Sequence, residues 1–335
     1  MAAEPAAKFA VTGRVPDSAL EMLRGAGAVA VAEAETALPR AELLRLVGGA
    51  DAILTLLHDR VDAEFLDAAG PGLRCVANVA VGYDNVDLAA AAARGVAVAN
   101  TPGVLDDATA DLTMGLILAA GRRLCEGERI IRSGRPWAWS MSFMLGRDLR
   151  GKRLGIVGLG AIGSRVARRA RAFGMEVAYC GRHAADPALV AELGAERLGL
   201  DELVESADVL SLHCPLSAET RHLISAARLA RMKPGAILVN AARGPVVDEA
   251  ALVEALRSGP LAAAALDVYE HEPEVHPGLL ELENVTLAPH LGSATVETRR
   301  AMAELAAANA IAAVRGEPLP TPVPLPAQGG PPARP

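Results

Sequence analysis

Aromatic residues are scarce in this chain. They make up 3% of its 335 residues, against 51% hydrophobic residues in all, so its cores must be built from Ala, Val, Leu and Ile. The four cysteines, Cys75, Cys125, Cys180 and Cys214, stand far apart and form no CxxC pair. That excludes a disulfide scaffold and fits a reducing compartment. No HExxH, cysteine cluster or GxSxG is present, so metal-hydrolase and serine-nucleophile chemistry are excluded and no metal is expected. No Lys/Arg run would track a phosphate backbone and the net charge is −7, so no nucleic-acid partner is expected. The longest apolar stretch, near residues 112–121, is too short to span a bilayer, which needs about 20 residues, and no membrane partner is expected. The first residues lack a charged segment followed by an apolar one, so no signal peptide is expected and the chain reads as cytoplasmic.

What is present is a repeated strand–helix pattern. Short apolar runs at 8–13, 29–33, 50–57, 73–79 and 96–102 read as strands. A proline-free helical pattern follows over 107–132, then an irregular stretch, 133–148, that carries Trp137 and Trp139. A second series of strands opens at Lys152 and includes RLGIVG, EVAYC, DVLSLHC, AILVNAA, LAAAALDVY and VTLAPH. A last helical pattern covers 294–314, and the end of the chain is rich in Pro and Gly. Strands alternating with helices imply βαβ units and parallel sheets. The second series is complete by His290, so the last helix returns to the first domain. The expected architecture is α/β: two Rossmann-like or flavodoxin-like parallel-sheet domains, with a cofactor domain (103–290) inserted into a discontinuous substrate domain (1–102 and 291–320) and a disordered tail (321–335).

The stretch GIVGLGAIGSRVARRARAFGMEVAYCGRH begins as a dinucleotide-binding unit. Gly158 permits a tight turn, Gly160 lets the backbone approach a pyrophosphate, and Gly163 lets the helix pack on the strand. The helix N-terminus offers unpaired N–H groups to the anion. An acidic residue normally holds the ribose at the tip of the next strand, yet here the tip reads Cys180-Gly181-Arg182-His183. Arg182 offers a planar fork of donors suited to a 2′-phosphate, which points to NADP(H), with NAD(H) still possible.

Three ionisable residues fall just past strand ends, where open parallel sheets bind ligands: Arg243 after AILVNAA, Glu272 in EHEP, and His290 ending VTLAPH. Together they suit reduction of a 2-oxo acid. A guanidinium can clamp the carboxylate and polarise the ketone, and an imidazolium can protonate its oxygen. A neighbouring carboxylate would favour the protonated ring and fix it. His213 and Cys214 are adjacent on a strand and point to opposite faces, so they read as cofactor-lining residues rather than a thiol–imidazole pair.

The stretches NVAVGYDNVDLAAAAARGVAVANTPG, DATADL, the glycine loop, SLHCPLSAET, MKPGAILVNAARGPVVDE, ALDVYEHEP and APHLGSAT together resemble the D-isomer-specific 2-hydroxyacid dehydrogenases over about residues 50–318. The resemblance implies a nicotinamide cofactor, a homodimer formed through the cofactor domain, and catalysis by Arg243, Glu272 and His290. Asp267 matches a residue near the nicotinamide amide. The glycine loop with Leu159, Ala161 and Ile162, together with Thr109, His213, Cys214 and Pro215, matches cofactor-lining positions. So do Thr220, Ala241, Ala242 and Gly292. Leu57, Val81 and Gly82 match the substrate loop of the first domain, with Arg243 and His290 completing the substrate contacts. Asp106 departs from the family pattern, which often has Thr there. Trp137 and Trp139 lie where some reductases reach into the partner subunit. Within the family the chain looks most like glyoxylate/hydroxypyruvate reductases, through its final segment and YCGRH. Two alternatives stay open: a reductase of a larger 2-oxo acid such as 2-ketogluconate, and a non-catalytic nicotinamide-sensing protein.

Overall fold

The computed structural model describes residues 7–34 and 36–326. By internal contacts they form two units. One takes the described residues up to Leu105 and from Ala294 onward, and the other is Asp106–Ser293.

The first unit runs β1 (Ala7–Val11), α1 (Asp17–Arg24), β2 (Gly27–Val31), α2 (Arg40–Val47), β3 (Ala52–Thr55), α3 (Ala63–Ala69), β4 (Cys75–Asn78), α4 (Leu88–Ala93) and β5 (Ala97–Ala99). The strands are parallel in the order β2-β1-β3-β4-β5, a flavodoxin-like arrangement. β3 and β4 are buried at every residue, which is why they appear in the sequence as unbroken apolar runs rather than alternating ones. Asp62 and Asp87 cap α3 and α4 by accepting the backbone N–H groups of Phe65 and Ala90.

The second unit begins with α5 (Asp106–Gly121) and α6 (Leu124–Arg132). One continuous helix was expected over this stretch, and the structure corrects that. Arg123 takes a left-handed φ of 54° and breaks the helix, while its guanidinium makes two bonds to the Glu126 carboxylate at 2.7 and 2.8 Å. The following residues, 133–148, are irregular. Then come β6 (Arg153–Val157), α7 (Ala161–Ala172), β7 (Glu176–Cys180), α8 (Pro187–Leu193), β8 (Glu196–Arg197), α9 (Leu200–Ser206), β9 (Val209–Leu212), α10 (Ala226–Leu229), β10 (Ile237–Asn240), α11 (Glu249–Arg257), β11 (Ala263–Leu266), α12 (Pro277–Leu280) and β12 (Val285–Leu287). The seven strands are parallel in the order β12-β11-β10-β9-β6-β7-β8. This is the doubly wound order, and it reverses direction between β6 and β9. One face of the sheet packs on α5 and α7 through residues such as Ile117, Val166, Ile156 and Val239. The other buries Leu203, Leu210, Leu238 and Leu252. The large, fully buried side chains are nearly all aliphatic, as the scarcity of aromatics requires.

The chain then returns to the first unit with α13 (Val296–Arg315), which packs on α1, β3 and β4. Residues 321–323, expected to open a disordered tail, are instead bonded to the first unit. Thr321 accepts at its Oγ1 from Asn309 Nδ2 at 2.8 Å and donates to Asn100 O at 2.7 Å, and the Val323 N–H donates to Val98 O at 2.8 Å. A side-chain amide and the free edge of β5 thus hold residues 321–323 in place, in spite of their proline-rich setting. Residues 327–335 of the expected tail lie outside the described residues.

Candidate active site

The glycine loop leaves β6 at the point where the strand order reverses. Gly158 has φ 97°, and a Cβ there would stand 2.8 Å from the His213 carbonyl oxygen, so the turn both needs left-handed backbone and abuts the tip of β9. A Cβ on Gly163 would lie 2.2 Å from Gly158 O, which is the close packing of helix on strand that the motif implies. At Gly160 a Cβ would meet nothing within 4 Å, so the loop there faces open space. Leu159 and Gly160 lead into α7, whose first residues, Ala161, Ile162 and Gly163, carry N–H groups with no acceptor inside the helix.

The β9 tip supplies a second feature. His213 Nε2 and Ser211 Oγ are 2.9 Å apart, while the buried His213 Nδ1 has no hydrogen-bond partner among the described residues. Burial lowers the pKa of this ring to about 4, so it is neutral at pH 7. Cys214 packs into the core on the opposite face of the sheet, with Val157 and Leu212, and burial pushes its thiol up to about 12. Neither residue is primed as a nucleophile. An open glycine cradle, a helix N-terminus and an orphaned polar atom beside them fit a bound dinucleotide.

At the tip of β7 no acid is found. The next acidic residue, Asp186, spends its carboxylate capping α8 through the Ala188 N–H at 2.9 Å. Arg182 and His183 are exposed, and the Arg182 charge reaches the Cys214 thiol. Thr220 serves its own loop. Its hydroxyl donates to the Pro215 carbonyl at 2.7 Å and accepts the Ser217 N–H at 2.7 Å.

The ionisable residues predicted at the strand ends come together. His290 Nδ1 and Glu272 Oε2 are 2.8 Å apart, and the other oxygen of Glu272 accepts the Tyr269 N–H at 2.9 Å. Burial raises the Glu272 carboxyl, but its bond to His290, the charges of His290 and Arg243, and the Tyr269 N–H outweigh that and hold it below the usual range. His290 has a left-handed φ of 54°. Its N–H donates to Asp267 O at 2.8 Å, and the Asp267 carboxylate then accepts the N–H groups of Leu291 at 2.6 Å and Gly292 at 2.8 Å. Thr109 Oγ1 donates to Gly292 O at 3.1 Å. Asp267, Thr109 and Gly292, each matched to a cofactor position, thus form one buried buttress under the histidine. Burial raises the Asp267 carboxyl in spite of its two amide donors.

Sequence reasoning missed two supports of Arg243. Asn240, at the end of β10, donates through Nδ2 to Arg243 O at 2.9 Å and accepts the Ala242 N–H at 3.1 Å, fixing the turn Asn240–Ala241–Ala242–Arg243. Gly244 passes so close to the neighbouring loop that a Cβ would stand 1.8 Å from Tyr269 C and O. The polar residue ending an apolar strand signalled the first support; nothing local signalled the second. Asp106 is nearly buried and pairs with Arg165 on α7 at 3.1 Å.

In the first unit, Leu57 lies on one loop, and Val81 and Gly82 lie on another that side-chain amides fix. Asn100 Nδ2 donates to Val81 O at 2.7 Å and Asn78 Nδ2 donates to Gly82 O at 2.9 Å. Because each peptide is planar and trans, the Gly82 and Tyr83 N–H groups point away from those amides. Asp59, buried and raised by that burial, accepts the Leu56 N–H at 2.7 Å and is bonded by Thr12 Oγ1.

Among the described residues no helix is long and apolar enough to cross a membrane, and no group of His, Cys, Asp or Glu could hold a metal ion.

Known proteins resemble this chain over most of its length. The family model described as D-isomer specific 2-hydroxyacid dehydrogenase, NAD binding domain, matches residues 114–292. A glyoxylate reductase of Thermococcus onnurineus is 49% identical over 318 residues, 94% of this chain and 95% of the relative. The crystal structure of TT0316 protein from Thermus thermophilus superposes with a TM-score of 0.88 at 47% identity, covering 94% of this chain and 99% of that one. That of an NADPH-dependent glyoxylate/hydroxypyruvate reductase from Sinorhizobium meliloti, in complex with NADP and malonate, superposes with a TM-score of 0.82 at 36% identity, covering 98% and 99%. The chain is an NAD(P)-dependent oxidoreductase and belongs to the D-isomer-specific 2-hydroxyacid dehydrogenase family.

Proposed function

We propose that the protein is an NADPH-preferring reductase of small 2-oxo acids, glyoxylate and hydroxypyruvate first, giving D-2-hydroxy acids. The observation that carries this reading is the His290–Glu272 pair at 2.8 Å, with the Arg243 charge beside it, in the unit that also holds the glycine loop. The glyoxylate reductase relatives supply the substrate class. The glycine loop of Gly158, Gly160 and Gly163 would hold a reduced nicotinamide cofactor, which would supply the hydride for C2 of the oxo acid. Arg243 pairs with the substrate carboxylate and draws electron density from the ketone. Glu272 holds Nδ1 of His290, which leaves Nε2 as the nitrogen that delivers a proton to the ketone oxygen. Leu57, Val81 and Gly82 are assigned to the substrate carboxylate through backbone N–H groups. Arg182 is assigned to the 2′-phosphate, because no acid at the β7 tip would repel it.

The protein is further proposed to form a homodimer through the cofactor unit. Leu124, Ile131, Trp137, Trp139, Met141 and Leu145 are all more than half exposed on one segment of that unit, far more apolar surface than a solvated loop carries. Trp137 stacks on Phe143 with ring centroids 6.2 Å apart. Trp137 and Trp139 are the residues assigned to reach the partner's site.

The test is a panel of oxo acids, from glyoxylate and hydroxypyruvate to 2-ketogluconate and phenylpyruvate, run with NADPH and NADH while absorbance is followed. Turnover of the small acids with NADPH is expected. Activity only on the larger acids would replace the substrate. Cofactor binding without turnover of any acid would favour a nicotinamide sensor. Light scattering on the eluted protein reads the dimer.

A further inference from the structure

Two carboxylates unused by the chemistry above sit side by side behind the catalytic loop. Glu249, the first residue of α11, is 4% exposed, and the side chain of Glu270 is 14% exposed. Among the described residues no lysine or arginine is ion-paired to either. Placing two acids together out of water is unfavourable unless each is specifically engaged. Here each holds the other's backbone. Glu249 Oε1 accepts the Glu270 N–H at 2.8 Å, and Glu270 Oε2 accepts the Glu249 N–H at 3.2 Å. The remaining oxygen of Glu270 is 2.5 Å from His222 Nε2. His222 has a left-handed φ of 48°, and its own N–H donates to Pro245 O at 2.8 Å.

These bonds join three loops. Pro245 lies two residues past Arg243. Glu270 lies two residues before Glu272 and directly follows Tyr269, whose N–H holds the Glu272 carboxylate. His222 belongs to the loop of Thr220. Gly244 is packed so tightly on Tyr269 and Glu270 that these loops already touch backbone to backbone. We propose that Glu249, Glu270 and His222 form a positioning clamp that sets Glu272 and Arg243 in register with His290 without touching substrate or cofactor. A left-handed residue and a pair of adjacent acids are local costs that a surface loop does not need. They become intelligible if the position of the loop, rather than its stability, is what they secure. The charged and titratable groups facing the clamp are His271 and His276, whose charges act on Glu249; Asp267, His290 and Arg243 face Glu272.

The link to turnover rests on the reductase reading, so the experiment has one readout that does not. Hydrogen exchange by mass spectrometry is measured on the full chain over residues 267–274 for the wild type, Glu270→Ala, Glu249→Ala and Glu249→Gln. Both alanine variants should exchange this loop about tenfold faster, the scale of one lost charge-assisted hydrogen bond. β10 and β11 should keep their protection. Glu249→Gln retains an acceptor for the Glu270 N–H and should restore most of the protection lost in Glu249→Ala. In the alanine variants kcat should fall about tenfold. The acid limb of kcat/KM should rise, as a loosened Glu272 drifts back toward the ordinary carboxylate range. Unchanged loop exchange in both alanine variants overturns the clamp. Faster exchange with kcat and the acid limb unmoved overturns its positioning role. A wild type that turns over no oxo acid, with the exchange pattern as expected, overturns the reductase reading and leaves the clamp standing.

Discussion

Replacing Glu272 by Gln probes the proposed proton-donor pair with little change in shape. In the native protein one Glu272 oxygen lies 2.8 Å from His290 Nδ1 and the other accepts the Tyr269 N–H at 2.9 Å. Glutamine can keep one of these bonds but removes the charge. Unit charges 2.8 Å apart interact by about 6 kcal/mol at an effective dielectric constant near 20, and by about 1.5 kcal/mol in water. The His290 and Glu272 side chains are 25% and 29% exposed, so solvent screens part of this. With the bond that glutamine retains, the net loss for a protonated His290 is about 1.5–3 kcal/mol, and kcat should fall about 10- to 150-fold. The KM for cofactor should barely move, since Glu272 makes no bond to the glycine loop. The assay is oxidation of NADPH by glyoxylate as a function of pH. Because the folded carboxyl is held below the ordinary value, the stabilisation it gives is complete above the ordinary carboxylate range and is lost only as pH falls through the depressed value. The acid limb of the wild type should therefore lie below that range, and the glutamine variant should lack it. Turnover within threefold of wild type, with an unchanged acid limb, would refute the assignment of Glu272.

Gly158→Ala places a Cβ 2.8 Å from the His213 carbonyl at φ 97°, and should lower stability by about 2 kcal/mol or more and abolish cofactor binding, read by denaturant titration and fluorescence quenching by NADPH. Arg182→Ala should raise the KM for NADPH about tenfold or more while that for NADH changes little; equal effects on both cofactors would return Arg182 to a solvated loop residue. Asp267→Ala strips the partner from two N–H groups under His290 and should cost about 2 kcal/mol or more in urea unfolding, with a loss of kcat that exceeds the loss of folded protein.

Parallel strands were the most legible elements, for a physical reason. β3, β4, β9, β10 and β11 are buried on both faces, so each appears as a continuous apolar run that few other structures produce. β8 is two charged residues, Glu196 and Arg197, at the sheet edge, where no apolar face is demanded and no pattern exists to read. The break between α5 and α6 was missed although Gly121 ends α5, because the residue that makes the turn, two positions on, is neither Gly nor Pro. An arginine adopts the left-handed conformation, and the glutamate three residues on secures its guanidinium. Thr321 was concealed in the same way, since composition cannot show that Asn309, 12 residues earlier, waits to hold it.

The site divides along the same line. Arg243, Glu272 and His290 stand out as candidates because chemistry-bearing residues at the ends of parallel strands contrast with apolar runs, and adjacent strands bring their tips together whatever their spacing. The residues that aim them could not. Glu249 meets Glu270 across 21 positions through bonds to backbone N–H groups, and His222 meets Glu270 across 48 side chain to side chain, and no periodicity encodes either. Strand order fixes which loops are neighbours, to within the 4.7–4.9 Å spacing of a sheet. A hydrogen bond of 2.8 Å between His290 and Glu272 needs placement to a few tenths of an ångström, and that finer placement comes from the proposed clamp at Glu249 and Glu270, the buttress at Asp267 and the bare backbone of Gly244. The proposed reacting groups are therefore legible from topology, while their alignment resides in residues whose only outward sign is an acid, a histidine or a glycine in a loop.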